Sequence, residues 1–435
     1  MLTREFVLSF REATPYINTF RSRTMVIAIN GETVDSGHFA SLAQDINVLT
    51  SLGVRIVLVH GARPQIESML KLRGLARLFH RQRRVTDFAT LEIVKQANGA
   101  VRHDIEAALS MGMPNSSMHG AHLRVAGGNY LTAQPLGVID GIDMQYTGQL
   151  RKLDDTGVRQ RLEAGELVLL SPIGYSLTGE AFNLAMEDVA THVAITLKAE
   201  KLIFFVCGPG ATNNDGGRIS TLTAQQAEEL LANSTQPDDV GAYLPCAIRA
   251  TRDGVPRAHL INGNEDGALL AELFTHGGAG TMVARDPLVK VRTASMEDIG
   301  DILALIRPLE ESGILVKRSL EHLEMDINNY SVLEHDGKVY GCVAMHTFED
   351  APMAELACLA VSPEKRDSGY GEMLLRHVEY QARTRGIASL FVLTTQTAHW
   401  FLERGFTEAQ ISHLPLTRQR LYNYQRRSKV FVKPL

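Results

Sequence analysis

Val361-Ser362-Pro363-Glu364-Lys365-Arg366-Asp367-Ser368-Gly369-Tyr370-Gly371 is the stretch on which the reading of this 435-residue chain turns. An apolar run ends at Val361, Pro363 breaks it, and Arg366-x-x-Gly369-x-Gly371 opens a long helical pattern. Glycine lets a backbone come close to a ligand, and the unpaired N–H groups of a helix start attract anions. That combination suits a pyrophosphate. A glycine-rich turn that merely begins a helix has the same letters, so the motif needs its surroundings to be informative.

Working outward, His399-Trp400-Phe401-Leu402-Glu403-Arg404-Gly405-Phe406 puts a short helix after a strand at 390–394. Upstream, the patterns predict a strand at 289–292, helices at 298–311 and 320–327, and strands at 331–334, 339–345 and 354–361. Asp336-Gly337 is a hairpin turn between the second and third strands. A helix over 369–385 and a last strand at 429–432 complete an α+β domain with mostly antiparallel pairing.

Residues 284–287 read as a short joint, and before them the rhythm differs. Apolar strands at 25–29, 54–59, 167–170, 202–206, 255–261 and 281–283 alternate with helices at 39–52, 185–199 and 267–274. Alternation of this kind, with strands apolar throughout, predicts an α/β domain: an open, mainly parallel sheet with helices on both faces. The expected division is 1–284 and 285–435.

Composition excludes several function classes. At 45% hydrophobic and 21% charged the chain can bury large cores, so wholesale disorder is out. A net charge of −5 argues against nucleic acid, because phosphate binding needs a surplus of Lys and Arg on one face. The basic run His80, Arg81, Arg83, Arg84 reads as a solvated surface. Cys207, Cys246, Cys342 and Cys358 form no Cys-x-x-Cys pair and have no histidines at metal-finger spacing, so no metal or disulfide framework is expected. Residues 1–20 carry Arg4, Glu5, Arg11 and Glu12, unlike a signal or transit peptide. No apolar run reaches membrane-span length, and a cytoplasmic protein without a membrane partner is expected.

The Arg366–Gly371 loop, the strand before it and the helix ending in Gly405-Phe406 together resemble the GNAT acetyltransferase superfamily, over residues 290–435. Gly313 to Ser319, Ala354 to Val361 and Tyr422 to Lys429 look like the bacterial N-acetylglutamate synthases. The resemblance implies acetyl-CoA as co-substrate, with no tightly bound cofactor, and L-glutamate as acceptor. It implies that Arg366, Asp367, Ser368, Gly369, Tyr370 and Gly371 hold the pyrophosphate, with Cys358, Leu359 and Val361 along the pantetheine. Arg318 and Arg427 become the carboxylate clamps, with Ser428 and Lys429 nearby, which fits the bidentate match between guanidinium and carboxylate. An amine must lose a proton before it attacks a thioester, and Glu355, an acid in an otherwise apolar strand, is the candidate base. The bland reading of Glu355 is an exposed strand edge. Thr394 and His399 lie where the family places hydrogen-bonding help for the departing thiolate, although the Ser or Tyr of the pattern is missing. Cys358 as an acyl-bearing nucleophile lacks an activating neighbour in the sequence.

Residues 1–284 resemble the amino acid kinases, acetylglutamate kinase most of all, at Val26 to Glu32, Val59 to Arg63, Arg84-Val85-Thr86, Asn183 to Thr191 and Ala271 to Gly280. Two departures matter. Ala28 stands where the family has a phosphate-binding lysine, and Pro245 where it has a second. Phosphoryl transfer rests on charge neutralisation, so no kinase activity is expected and the domain reads as regulatory. Arg84 and Asn183, where the kinases hold acetylglutamate, are kept. Tyr16, His259, Glu272 and Gly278 match the arginine site of arginine-sensitive members, implying L-arginine as inhibitor; otherwise His259 caps a strand and Glu272 lies on a solvated helix face. The resemblance further implies a homo-oligomer, a hexamer, and a place at the first step of arginine synthesis.

Two other classes compete. A protein-lysine acetyltransferase with an amino-acid-sensing domain would favour acidic residues in its acceptor groove, against Arg318 and Arg427. A non-catalytic amino-acid sensor would not need Glu355 and the intact Arg366–Gly371 loop.

Overall fold

The computed structural model describes residues 2–435 except Ser36, His38, His276, Asp336 and Asp367, and omits the side chains of Leu2 and Thr3. The chain divides into two compact units, Met1–Asp286 and Pro287–Leu435.

Unit 1 is built on an eight-stranded sheet: β1 (Thr24–Ile29), β2 (Arg55–His60), β3 (Val125–Ala126), β4 (Leu167–Leu170), β5 (Lys201–Val206), β6 (Thr221–Thr223), β7 (Arg257–Asn262) and β8 (Thr281–Ala284). Their spatial order is β6-β8-β7-β5-β1-β2-β4-β3. All pairs are parallel except β7 with β8. Alternation along a strand sends neighbours to opposite faces. Accordingly Val26 and Ala28 join one core while Met25, Ile27 and Ile29 join another, and helices cover both faces. A four-stranded sheet from residues 131–183 adds to the first core; its short, polar-interrupted strands carry no continuous apolar run. Helix α1 (Leu2–Phe20) precedes the first strand, and α2 (Ala268–Phe274) packs beside it through Phe20 and Phe274.

Unit 2 is one seven-stranded sheet: β9 (Val289–Thr293), β10 (Tyr330–His335), β11 (Lys338–Phe348), β12 (Ala351–Val361), β13 (Ser389–Thr394), β14 (Thr407–Ala409) and β15 (Lys429–Pro434), in the order β9-β10-β11-β12-β13-β15-β14. Only β12 and β13 pair in parallel. The register His335↔Lys338 brackets the expected two-residue hairpin; Asp336 lies outside the described residues, and Gly337 is left-handed at φ 78°. Helix α3 (Ile299–Glu311) covers one face and α4 (Tyr370–Thr384) the other.

Two features of β12 place the site. Its ladder with β13 covers only Met353–Glu355 opposite Ser389–Phe391, although β12 runs on to Val361 and β13 to Thr394. A seam therefore opens inside the sheet just past Glu355, leaving the later edges of both strands without each other. Secondly, the register with β11 shifts between Cys342↔Ala360 and Ala344↔Ala357, a bulge at Cys358–Leu359. Cys358 takes a left-handed φ of 55°, and the parity of the strand flips there. Ala354 and Leu356 face the α4 core, whereas Cys358 and Ala360 face the α3 core.

Candidate active site

Glu355 stands at the mouth of the seam. On its face of the sheet Met353 joins the small cluster around Phe391, and Ala357 joins the α3 core, so Glu355 sits between two separate apolar clusters. Its side chain is 11% exposed, which removes the reading as an exposed strand edge. A buried carboxylate needs partners. Here both oxygens accept from one guanidinium: Arg418 Nε at 2.5 Å and Nη2 at 3.0 Å. Arg418 lies on α5 (Leu416–Arg420), and the backbone N–H and hydroxyl of Thr417 donate to Asp350 at 2.9 Å each, pinning that short helix to the β11–β12 turn. Arg418 was not singled out in the sequence. It sits on a five-residue helix, and one of two arginines in Leu416-Thr417-Arg418-Gln419-Arg420 carries no periodic signal.

Arg318 is half-buried in the same neighbourhood, within electrostatic reach of Glu355, Cys358, Tyr330 and Glu310. Its backbone N–H donates to Glu310 at 2.9 Å and its Nη1 to the Val316 carbonyl at 3.1 Å. Cys358 is buried, and burial pushes its thiol up from the ordinary range; the Cys342 thiol is raised by the same cause. A thiol held protonated is a poor nucleophile, which argues against an acyl-enzyme route. Leu359 and Val361 turn half-buried side chains to the α4 core, so what they can offer a ligand is backbone.

The glycine loop forms as the sequence implies. Gly369, at φ 76°, caps α4, and the helical ladder begins with Met373 N–H donating to Gly369, so the amides of residues 370–372 have no partner within the helix. Arg366, Ser368 and Gly369 are exposed, and Asp367 lies outside the described residues. Tyr370 differs from the expectation: its ring is buried and its hydroxyl bonds His335 Nδ1 at 2.6 Å, leaving only its amide for a ligand. At Gly371 a Cβ would stand 3.1 Å from Trp400 Cζ2. Arg404 stacks on the same indole at 4.0 Å and donates to Glu372 at 2.7 Å, so the Trp400 helix is clasped to the first turn of α4.

Across the seam, Thr394 is buried, with its hydroxyl 2.8 Å from that of Thr397 and accepting the Thr397 amide at 3.1 Å; His399 is exposed. Arg427 is exposed at a left-handed φ of 50°. Its neighbour Arg426 is the one tied back, donating to the carbonyls of Gly313 and Ile314, with a buried Nε left unpaired. Ser428 is half-buried and its carbonyl accepts from Tyr422 at 2.6 Å. Lys429 is drawn to Glu408 at 3.1 Å on the neighbouring strand. The structure thus brings Glu355, Arg318 and Cys358 together, with Thr394 bonded to its neighbour Thr397 and Lys429 paired with Glu408.

Unit 1 holds a second constellation. His259 and Glu272 are both buried, His259 Nδ1 lies 2.6 Å from Glu272 Oε1, and Lys201 Nζ lies 3.0 Å from His259 Nε2. Glu272 Oε2 accepts the amides of Ala279 at 2.6 Å and Gly280 at 2.8 Å. Burial, reinforced by Lys201, pushes His259 down to about 4, so it is neutral, with Nδ1–H donating and Nε2 accepting. Burial raises Glu272, but His259 and the two amides outweigh it and hold the carboxyl at about 2. A Cβ on Gly278 would be 2.6 Å from Glu272 Oε2 at an already left-handed φ of 56°. The Lys201 ammonium lies 5.2 Å from the Phe20 ring, which neighbours Tyr16 on α1. Glu272 is therefore not on a solvated face. Lys201 was missed, although a lysine opening an otherwise apolar strand was visible as a signal.

A cavity of about 1250 Å³ in unit 1 is lined by Asn30, Arg63, Arg84, Asn183, Asp188 and Pro245, among others, with no lysine among its described lining residues. Arg84 Nη1 is buried there without a partner. No metal-holding cluster occurs among the described residues, and no described helix is long and apolar enough to cross a membrane.

Comparison with known proteins agrees with this geometry. The amino acid kinase family matches residues 23–262, and the acetyltransferase (GNAT) domain matches residues 326–408. The amino-acid acetyltransferase of Azotobacter vinelandii is 50% identical over 99% of this chain and 100% of its own. That of Yersinia pestis is 46% identical over 99% of both chains. The solved N-acetylglutamate synthase of Neisseria gonorrhoeae, complexed with coenzyme A and L-arginine, is 43% identical over 99% of both chains, with a TM-score of 0.92. The same enzyme complexed with coenzyme A and N-acetyl-glutamate gives 44% and 0.64. Likeness at this level over the whole length of each relative, with an open seam and an acid at its mouth, places the chain in the amino-acid acetyltransferase family.

Proposed function

We propose that the chain transfers the acetyl group of acetyl-CoA to the α-amine of L-glutamate, giving N-acetyl-L-glutamate and free CoA at the first step of arginine synthesis. The observation that carries this is Glu355 at the point where β12 and β13 part. The amides at residues 370–372, beside Arg366, receive the pyrophosphate, and the pantetheine lies in the seam along Cys358, Leu359 and Val361. Glu355 takes the proton of the substrate ammonium, and the amine attacks the thioester carbonyl directly. The backbone at the Cys358–Leu359 bulge offers N–H groups to the oxyanion, and the collapse expels the thiolate. Thr394 contributes a hydroxyl to the sulfur, with His399 behind it on the surface; a hydroxyl polarises sulfur but is a weak acid. Arg318 and Arg427 hold carboxylate, with Ser428 and Lys429 at the border of the acceptor site.

Unit 1 binds L-arginine at Tyr16, His259, Glu272 and Gly278, joined by Lys201, and restrains the transfer. It has no kinase activity, since Ala28 and Pro245 replace both phosphate-binding lysines. The chain works as a cytoplasmic homo-oligomer, a hexamer, without nucleic acid.

The test is acetyl-CoA turnover against a panel of free amino acids, in wild type and Glu355→Gln. L-Glutamate should be preferred, and the variant should lose ~10²-fold or more in kcat while keeping acetyl-CoA affinity. Wild-type turnover in the variant would remove Glu355 as the base.

A further inference from the structure

The base and its partner raise a difficulty that points beyond the roles above. Glu355 has both oxygens in the Arg418 fork, and Arg418 has no other carboxylate among the described residues. A guanidinium fork accepts any carboxylate in the same geometry. Arg318 brings a second cation within electrostatic reach of Glu355, with Glu310 also near it, so each carboxylate of this corner already faces a guanidinium before an acid enters.

The acceptor's own chemistry decides which acid. Its amine and α-carboxylate share one carbon, so an ammonium within hydrogen-bond reach of Glu355 (~3 Å) has its α-carboxylate beside what Glu355 already holds. The Arg418 backbone is fixed through Thr417 and Asp350, whereas its side chain is long and one-fifth exposed. Besides the fork on Glu355, the guanidinium donates from Nη1 to the Leu421 carbonyl at 3.3 Å, so the bonds to Glu355 can exchange while that anchor and the helix stay.

We propose that Arg418 is a substrate-operated latch: in the empty site it holds Glu355, and the α-carboxylate of the entering amino acid replaces Glu355 in the fork and frees the base. Exchange of one carboxylate for another never leaves the guanidinium unpaired in a partly buried place, where an unpaired charge is costly. Arg318 remains for the side-chain carboxylate. The acceptor class follows: free α-amino acids release the base, whereas amines without an adjacent carboxylate, lysine side chains included, leave it latched. This rests on Glu355 being the base.

The test is calorimetric titration of the full-length protein, with CoA present, using N-acetyl-L-glutamate and its α-amide. Neither probe carries an ammonium and both keep the same acetamido N–H, so a difference between them reads the fork. Glu355→Gln should bind N-acetyl-L-glutamate at least threefold tighter, because nothing competes for Arg418. Arg418→Met should bind it at least tenfold weaker, and Arg418→Lys should fall between. The α-amide should bind wild type and Arg418→Met equally. Unchanged affinity for N-acetyl-L-glutamate in Glu355→Gln, or an α-amide as sensitive to Arg418→Met as the acid, would overturn the latch. Failure of the base reading shows separately, as undiminished kcat in Glu355→Gln.

Discussion

Acidification should destabilise unit 1 through two histidines buried without charge. His60 is fully buried, with Nε2 2.8 Å from the Ser171 hydroxyl, and burial pushes it down to about 4 against the pull of the Gly61 carbonyl. His259 is also held at about 4, by burial and Lys201. Unfolding returns each to its ordinary 6.5, so the unfolded chain binds more protons and stability rises with pH. The contribution is complete above pH 6.5, shrinks as pH falls through that value, and is gone below about 4. Each histidine adds a slope approaching ~1.4 kcal/mol per pH unit across that window, and about 2 kcal/mol of loss by pH 5. Denaturant unfolding followed by far-UV circular dichroism measures it. The single tryptophan, Trp400, lies in unit 2, so its fluorescence follows that unit separately. His60→Gln should flatten the circular-dichroism dependence between pH 6.5 and 5 by about one proton's worth and leave the Trp400 transition in place. An identical pH slope in variant and wild type would mean that His60 titrates normally in the fold.

Three further outcomes follow from the geometry already described. Gly371→Ala places a Cβ 3.1 Å from Trp400 and should lower the Trp400 unfolding transition by ~1–3 kcal/mol as well as weaken CoA. Gly369→Ala, with open space but φ 76°, should cost about 1 kcal/mol by backbone strain alone; equal stability of both variants with wild type would sink the packing argument. Glu272→Ala removes the partner of His259 and of two backbone amides, and should raise the arginine concentration needed for half-inhibition at least tenfold while arginine-free turnover stays near wild type. Unaltered inhibition would place the effector elsewhere.

The regular elements were legible because their signal is local. Residues 167–170 are apolar without a break and form β4 with the same bounds, and the Gly369 turn starts α4 one residue later. The four-stranded sheet of unit 1 was not legible, since Leu131–Pro135 and Ala181–Asn183 are short and half polar. In the site, Glu355 was readable as an acid in an apolar strand. Arg418 was not, because its meaning comes from a contact across 63 positions of sequence. Nor could spacing tell Arg426, half-buried and tied to the carbonyls of Gly313 and Ile314, from the exposed Arg427. Tyr370 looked like part of the phosphate loop, yet its ring belongs to the core and only its amide to the loop.

The seam in the acetyltransferase sheet has a consequence for the order of events. Four strands on one side and three on the other are stitched by only three residue pairs, with α4 bridging a single face. A bound pantetheine, its amides facing both lips, would serve as the missing strand. The proposed acceptor pocket draws Arg318 from the four-strand side and Arg418 from the segment joining two strands of the other side. On that proposed assignment its width is settled once the gap is filled, and the expected order is compulsory, with the thioester first and the amino acid second.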